Sequence, residues 1–282
     1  MVENRRGFRI ACHAILLAGV AIVAFPVWLT FVGATLTAEE ILAAPMPVVP
    51  GDRLVENMTT VLSSGTERAS SAPVSTMLFN SLVMALVIAI GKIVISMLSA
   101  FAIVYFRFPF RATAFWLIFV TLMLPVEVRI VPTFQVVSDL GLLDSYAGLT
   151  LPLIASATAT FMFRQFFMTV PDELVEAARM DGAGPMRFFF DILLPLSRTH
   201  IAALFVILFV YGWNQYLWPL LITTQESMYT VVIGIKRMIT GGDAATEWHL
   251  VMATAILALL PPALVVLLMH RWFVKGVVET EK

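Results

Sequence analysis

Residues 170–195 read V-P-D-E-L-V-E-A-A-R-M-D-G-A-G-P-M-R-F-F-F-D-I-L-L-P, the longest polar interruption in the second half of an otherwise mostly apolar chain. The local chemistry predicts two short helices joined by a turn. Pro171 suits a first helical turn, where its missing N–H costs nothing, and Asp172 and Glu173 match the positive end of the helix dipole. Leu174, Ala177, Ala178 and Asp181 recur at helical spacing on one face. Asp181-Gly182 closes that helix, because glycine enters the left-handed conformation that a helix end often requires. Gly184-Pro185 opens a second helix carrying Phe188, Phe189 and Ile192, with a stop expected at Pro195. Neither piece is long enough to be stable alone in water. Each needs a surface to rest on, and Ala177-Ala178 leaves room for one to approach. Two readings stay open on periodicity alone: a loop whose apolar residues rest on lipid headgroups, or a docking element for a soluble partner.

The rest of the chain decides the setting. Hydrophobic residues make up 60% and charged residues 13% of its 282 positions, and the mean hydropathy is +0.90. Those values lie outside the range of a soluble globular domain and leave room for several membrane-spanning helices. A net charge of −1 gives no sign of a nucleic-acid partner. The single cysteine, Cys12, has no partner for an intrachain disulfide, and the four histidines are scattered, so no metal site is expected. Gly91-Lys92 lacks the upstream glycine of a phosphate-binding loop and lies within an apolar run, which excludes ATP hydrolysis by that route.

Six apolar segments can be marked, at about residues 11–36, 80–104, 114–132, 147–168, 201–223 and 250–274, each near the ~20 residues needed to cross a bilayer. The expectation is one all-α transmembrane domain over residues 1–282 with six spans, kinked where Pro26, Pro125, Pro152, Pro219 and Pro261-Pro262 fall. Twelve of the 18 basic residues, among them Arg5, Arg107, Arg164, Arg187 and Lys275, lie on one side of that arrangement. Five, including Arg53, Arg129 and Lys236, lie on the other, and Lys92 is inside the second span. The positive-inside rule then puts both termini and residues 170–195 in the cytoplasm. The first apolar run is longer than the 7–15 residues of a signal peptide, so it reads as a retained span. Residues 37–77 read as an extracytoplasmic loop.

With the loop cytoplasmic, its spacing becomes specific: Glu176-Ala177-Ala178, then Gly182, then Ile192-x-Leu194-Pro195. This resembles the EAA loop of permease subunits in bacterial ABC importers. Asn80-Ser81, Ala100-Phe101-Ala102, Arg107-Phe108, Pro171-Asp172-Glu173-Leu174 and Trp213-Asn-Gln-Tyr-Leu-Trp-Pro219 extend the likeness to the carbohydrate-type permeases related to the second maltose permease subunit. Thr121-Leu-Met-Leu-Pro-Val-Glu-Val-Arg-Ile130, Asp144-Ser-Tyr-Ala-Gly148, Ser156-Ala-Thr-Ala-Thr160, Phe163-Arg-Gln-Phe-Phe-Met168 and Gly91-Lys92-Ile93 narrow it to permeases of glycerol 3-phosphate importers. The resemblance implies a type I ABC importer permease fold in the bacterial inner membrane, with cytoplasmic coupling helices. It also implies a heterodimer with a second permease, an ATPase homodimer that binds ATP and magnesium, and a periplasmic substrate-binding protein. No cofactor is then expected in this chain. Glu176, Ala177, Ala178, Asp181, Gly182, Ile192, Leu194 and Pro195 would couple it to the ATPase.

Charges inside the spans are the remaining signal. Lys92 near the centre of a span costs ~2.5–3.5 kcal/mol on insertion scales, so it is expected to face the bundle interior. Glu127 and Arg129 are the other ionisable residues at or near membrane depth. Two readings stay open: Lys92 and Arg129 attract a substrate phosphate, or Lys92 pairs with Glu127 and only ties two spans together. Arg129 also fits an outer interface. Asn214 and Gln215 fit either hydrogen bonding between helices or a lining of the pathway, while Trp213 and Trp218 fit interfacial anchors. A neutral-sugar or glycerophosphodiester permease is an alternative on the same scaffold. An ion-gradient-driven secondary transporter would favour more deep carboxylates and a repeat, neither of which is evident. An intramembrane hydrolase would need a base beside Ser96 or Ser99, and no histidine lies at that depth.

Overall fold

The computed structural model describes residues 6–64, 72–121, 126–239 and 246–278. These residues form helices, with no β-strand among them. In chain order they are α1 (Arg6–Ala34), the single turn α2 (Ala38–Ile41), α3 (Leu54–Ser63) and the 32-residue α4 (Val74–Tyr105). After α4 come α5 (Arg111–Val120), α6 (Val126–Asp139), α7 (Tyr146–Thr150) and α8 (Ala157–Phe167). The stretch 170–195 becomes α9 (Asp172–Met180), α10 (Pro185–Phe188), a π-helical turn at Phe189–Leu193 and α11 (Leu194–Leu196), leading into α12 (Arg198–Trp213). The chain ends with α13 (Leu217–Ile222), α14 (Val231–Ile239) and α15 (Trp248–Val278).

Two compact units emerge, Met1–Ser75 with Gly234–Leu260, and Thr76–Ile233 with Pro261–Lys282. In the first, Val32, Leu36 and Ile41 form a core against Met46, Trp248 and Met252. Gly33 permits the approach of α15, since a Cβ there would overlap the Met252 sulfur. The last carbonyls of α1 would be orphaned without partners. The buried Asn57 amide answers one of them, Ala34 O, and also donates to Leu36 O just beyond the helix, at 2.9 Å each. Thr37 and Glu40 cap α2 reciprocally. Hydrogen bonds from the Thr37 backbone and hydroxyl hold the Glu40 carboxyl below its ordinary value.

The second unit is built along α4. Met84 and Ile88 from its first half join Val137, Leu149, Trp218 and Ile222 in the main core. Gly212 of α12 lies so close to α4 that a Cβ would come within 3.0 Å of the Ala85 Cα. Any larger residue there would push the two backbones apart.

The expected six spans appear with different continuity. Gly7–Ala34, Val74–Tyr105 and Trp248–Trp272 are unbroken apolar stretches long enough to cross a membrane. The fourth expected span is the bent pair Tyr146–Leu153 and Ala157–Phe167, at 49°, broken where Ser156 caps a new helix. The fifth does not run unbroken over residues 201–223. Its helix α12 follows Pro185–Leu196 through a 73° bend, ends at Trp213, and resumes as α13 with Pro219 in its first turn. In the third, α5 is a mostly apolar helix of 10 residues, residues 122–125 lie outside those described, and α6 carries Pro132 inside it. Among the described residues there are thus three long apolar helices, or up to five spans if each bent pair counts as one.

Candidate functional site

The segment after α8 folds by local rules. Pro171 stands just before α9 with φ −59°, Asp172 and Glu173 occupy the first turn, and Arg179 the last. The helix then closes in a Schellman motif. Gly182, at φ +72°, donates its N–H to Arg179 O, and Ala183 donates to Ala178 O at 2.9 Å. The space around the Gly182 Cα is open, so a side chain there would cost backbone strain of roughly 1 kcal/mol and no clash.

The expected stop at Pro195 is not where the helical path ends. Pro195 falls in the first turn of α11, where no N–H is needed, and the path continues to Leu196. It turns at the buried Ser197, whose N–H and hydroxyl both donate to Leu193 O, at 3.0 and 2.6 Å. The π-helical turn just before admits one extra residue per turn and precedes that change of direction.

Packing divides the segment into two faces. Ala178, Phe188, Phe189 and Leu193 are buried. Phe189 lies 5.0 Å from Phe101 and Phe188 5.3 Å from Tyr105, ring centre to ring centre, and both partners are on the last turns of α4. Tyr105 in turn donates its hydroxyl to Phe167 O at 3.2 Å. A cavity of about 540 Å³ opens between these turns and α9–α10, with Arg107, Val175 and Arg179 on its walls. On the other face Glu173, Glu176, Ala177, Asp181 and Gly182 are exposed, with Met180 at 83% and Met186 at 50%. Ile192, Leu194 and Pro195 are half-buried below them.

Ala177 and Ala178, adjacent in sequence, therefore serve opposite faces. Among the described residues Glu173, Glu176 and Asp181 make no side-chain bond within the chain. Sequence reasoning gave no role to Met180 and Met186. Their signal was available: two exposed thioethers in a polar turn, a side chain that adapts to a partner surface.

The start of α4 is the opposite case. Asn80 Nδ2 donates to Ser227 O and Tyr229 O at 2.8 and 3.0 Å, and its Oδ1 accepts from the Tyr146 hydroxyl at 2.6 Å. Ser81 Oγ accepts from Val231 N. Asp144, at φ +50°, accepts from Thr224 N, Thr224 Oγ1 and Gln225 N at 2.6, 2.5 and 2.9 Å. Partial burial alone would raise the Asp144 carboxyl, but these three bonds outweigh it and hold the group below its ordinary value. Trp218 donates Nε1 to Gly148 O at 3.1 Å. Trp213 and Trp218 are both 3% exposed, which corrects their reading as interfacial anchors.

Midway along α4, Lys92 is 7% exposed, and its Nζ stands 3.8 Å from the centre of the Tyr211 ring. Such a contact contributes about 0.5–2 kcal/mol, less than the ~2.5–3.5 kcal/mol insertion cost. Lys92 and Arg129 line one cavity of about 650 Å³ together with Ser99, Thr121, Ser156, Thr158 and Thr160. The Glu127 side chain lies outside the described residues. Asn214 and Gln215 occupy the break after α12, where Gln215 donates to Tyr211 O at 3.2 Å. Among the described residues no group of His, Cys, Asp or Glu could hold a metal ion.

Comparison with known proteins places this geometry. A chain of the crystal structure of a bacterial ABC transporter involved in import of the acidic polysaccharide alginate has a TM-score of 0.82. At 18% identity, over 97% of this chain and 99% of that one, it shows a shared fold. Three relatives, each covered in full and covering all of this chain, are called sn-glycerol-3-phosphate transport system permease protein UgpE. They come from Agrobacterium fabrum (63% identical), Rhizobium meliloti (61%) and Yersinia enterocolitica (61%). The family model described as binding-protein-dependent transport system inner membrane component matches residues 92–279. The family match over residues 92–279 and full-length identity above 60% agree: the chain belongs to the family of inner-membrane components of binding-protein-dependent transport systems.

Proposed function

We propose that this chain is one permease half of an ATP-driven bacterial importer for glycerol 3-phosphate. In this reading six spans cross the inner membrane with both termini in the cytoplasm. A second permease completes the pathway, and a periplasmic binding protein delivers the substrate. An ATPase homodimer holds ATP and magnesium and grips the turn formed by α9 and α10. The substrate is inferred from the names of the relatives.

The observation that carries the coupling role is the division of α9–α10 into two faces. Glu173, Glu176, Ala177, Met180 and Asp181 face outward, while Ala178 is buried and Phe188 and Phe189 pack against the rings at the end of α4. A partner that grips the outer face moves the aromatic base, and with it the long helix. Glu176 and Asp181 then meet ATPase donors, Gly182 sets the turn, and Ile192, Leu194 and Pro195 support the second arm.

Reconstitution of the complete transporter tests this. Binding protein loaded with glycerol 3-phosphate is expected to stimulate ATP hydrolysis, whereas neutral sugars and glycerophosphodiesters are not. Gly182→Pro and Glu176→Lys are expected to reduce that stimulation at least about tenfold while the chain still inserts and assembles. Unchanged stimulation in both variants would remove the coupling role, and stimulation by a neutral sugar or a diester would move the substrate assignment.

A further inference from the structure

Lys92 and Arg129 put two cationic side chains on the wall of one cavity. We propose that Lys92, Arg129 and the first turn of α8 form a transient anion site at membrane depth, which receives the phosphate group of a phosphate monoester in transit. The proposal rests on the importer reading above and assigns the residues that handle the charge.

The placement of Lys92 is the first support. It is the nineteenth of 32 residues in α4, roughly 27 Å along the axis from Val74 at 1.5 Å per residue. A lysine stem of four methylenes cannot reach either membrane surface from there. Its ammonium lies on the cavity wall over the Tyr211 ring and not against lipid.

Arg129 lines the same space from α6. Two cations on one cavity repel each other in a low-dielectric setting, and an anion between them turns that repulsion into attraction. The third contribution is the start of α8, an 11-residue helix whose N-cap Ser156 and first residues Ala157 and Thr158 are on the wall. Helix starts present unpaired N–H groups and favour negative charge. Ser156 Oγ serves Ala159 N and Thr160 Oγ1 donates to Ser156 O, so both are occupied. The Ser99 and Thr158 hydroxyls make no bond among the described residues, which leaves two neutral donors to complete an oxyanion shell.

The Tyr211 ring gives this site its transient character. A cation over an aromatic face is held without a permanent counter-anion and can turn to a better partner. A transport site must release what it receives, so weak and exchangeable contacts suit it. The cavity volume fits a small solute.

The test uses the assembled transporter in vesicles, with uptake of radiolabelled glycerol 3-phosphate and ATP hydrolysis measured together. Lys92→Met is expected to lower uptake about tenfold or more, the scale of removing one charge-assisted hydrogen bond. Arg129→Gln is expected to lower it less, and Lys92→Arg to retain most of it. Assembly, checked by co-purification, is expected to be unchanged. Normal uptake in Lys92→Met overturns the proposal. So does recovery of uptake in Lys92→Met combined with Glu127→Gln, because a purely structural pair tolerates joint neutralisation and an anion site does not. Mass spectrometry of the purified complex separates a lipid phosphate from a solute: loss of a bound anionic phospholipid in Lys92→Met, with uptake intact, also counts against the proposal. Failure of the importer reading would show differently, as a wild-type complex whose ATPase ignores glycerol 3-phosphate altogether.

Discussion

The two ends of α4 handle polar groups in opposite ways. At its start, Asn80, Ser81, Tyr146 and Asp144 use their hydrogen-bonding capacity on one another and on the Ile222–Val231 stretch, within the chain. Near its end, Glu173, Glu176 and Asp181 stand exposed, and what holds the segment is a cluster of tilted and edge-on rings, Phe101, Tyr105, Phe188 and Phe189. Directional bonds define one geometry, whereas ring packing tolerates small displacements at modest cost. One end is therefore a finished frame. The other leaves its polar groups at the surface.

Three substitutions probe that contrast, in descending order of expected effect on stability. Trp218→Ala removes a fully buried ring and the donor to Gly148 O. It is expected to cost about 3–5 kcal/mol, visible as a large drop in melting temperature of the purified chain in nanodiscs. A loss below about 1 kcal/mol would mean that the frame is not rigid.

Asp144 comes next. Because its folded-state value lies below the ordinary 3.8, its contribution is complete at higher pH and disappears as pH falls through the folded value. Changes in melting temperature should therefore owe nothing to this group between about pH 8 and 5, and a fall traceable to it should begin below about pH 4. Asp144→Asn is expected to lower stability at neutral pH and flatten that acid limb; an acid limb identical to wild type would remove Asp144 as its source.

Glu176→Gln is expected to shift stability by no more than about 0.5 kcal/mol, as for an exposed helix residue, yet reduce ATPase stimulation in the assembled complex. A large melting shift would show that Glu176 is part of the chain's own framework.

Much of this was readable from the sequence, and the failures have identifiable causes. The helix beginning at Asp172, its end at Asp181-Gly182 and the restart at Gly184-Pro185 depend on dipole, capping and φ, which are local properties. Which of Ala177 and Ala178 faces inward is a tertiary matter, decided by the position of α4 and invisible to helical periodicity. Pro195 obeyed the same rule that predicted its stop, but in the first turn of a new piece, which sequence spacing cannot distinguish from the end of an old one. The interfacial reading of Trp213 and Trp218 failed because a tryptophan in an apolar run looks the same whether its N–H meets water or a buried carbonyl. The joint lining of one cavity by Lys92 and Arg129 needed three dimensions, since the two are 37 positions apart.

The continuity of α4 bears on how a displacement travels through the chain. From Asn80 to Tyr105 it runs without a proline or a break, over roughly 37 Å at 1.5 Å per residue. A helix without a hinge moves as one stiff body, so a displacement imposed at one extremity is carried to the other and is not absorbed at a kink.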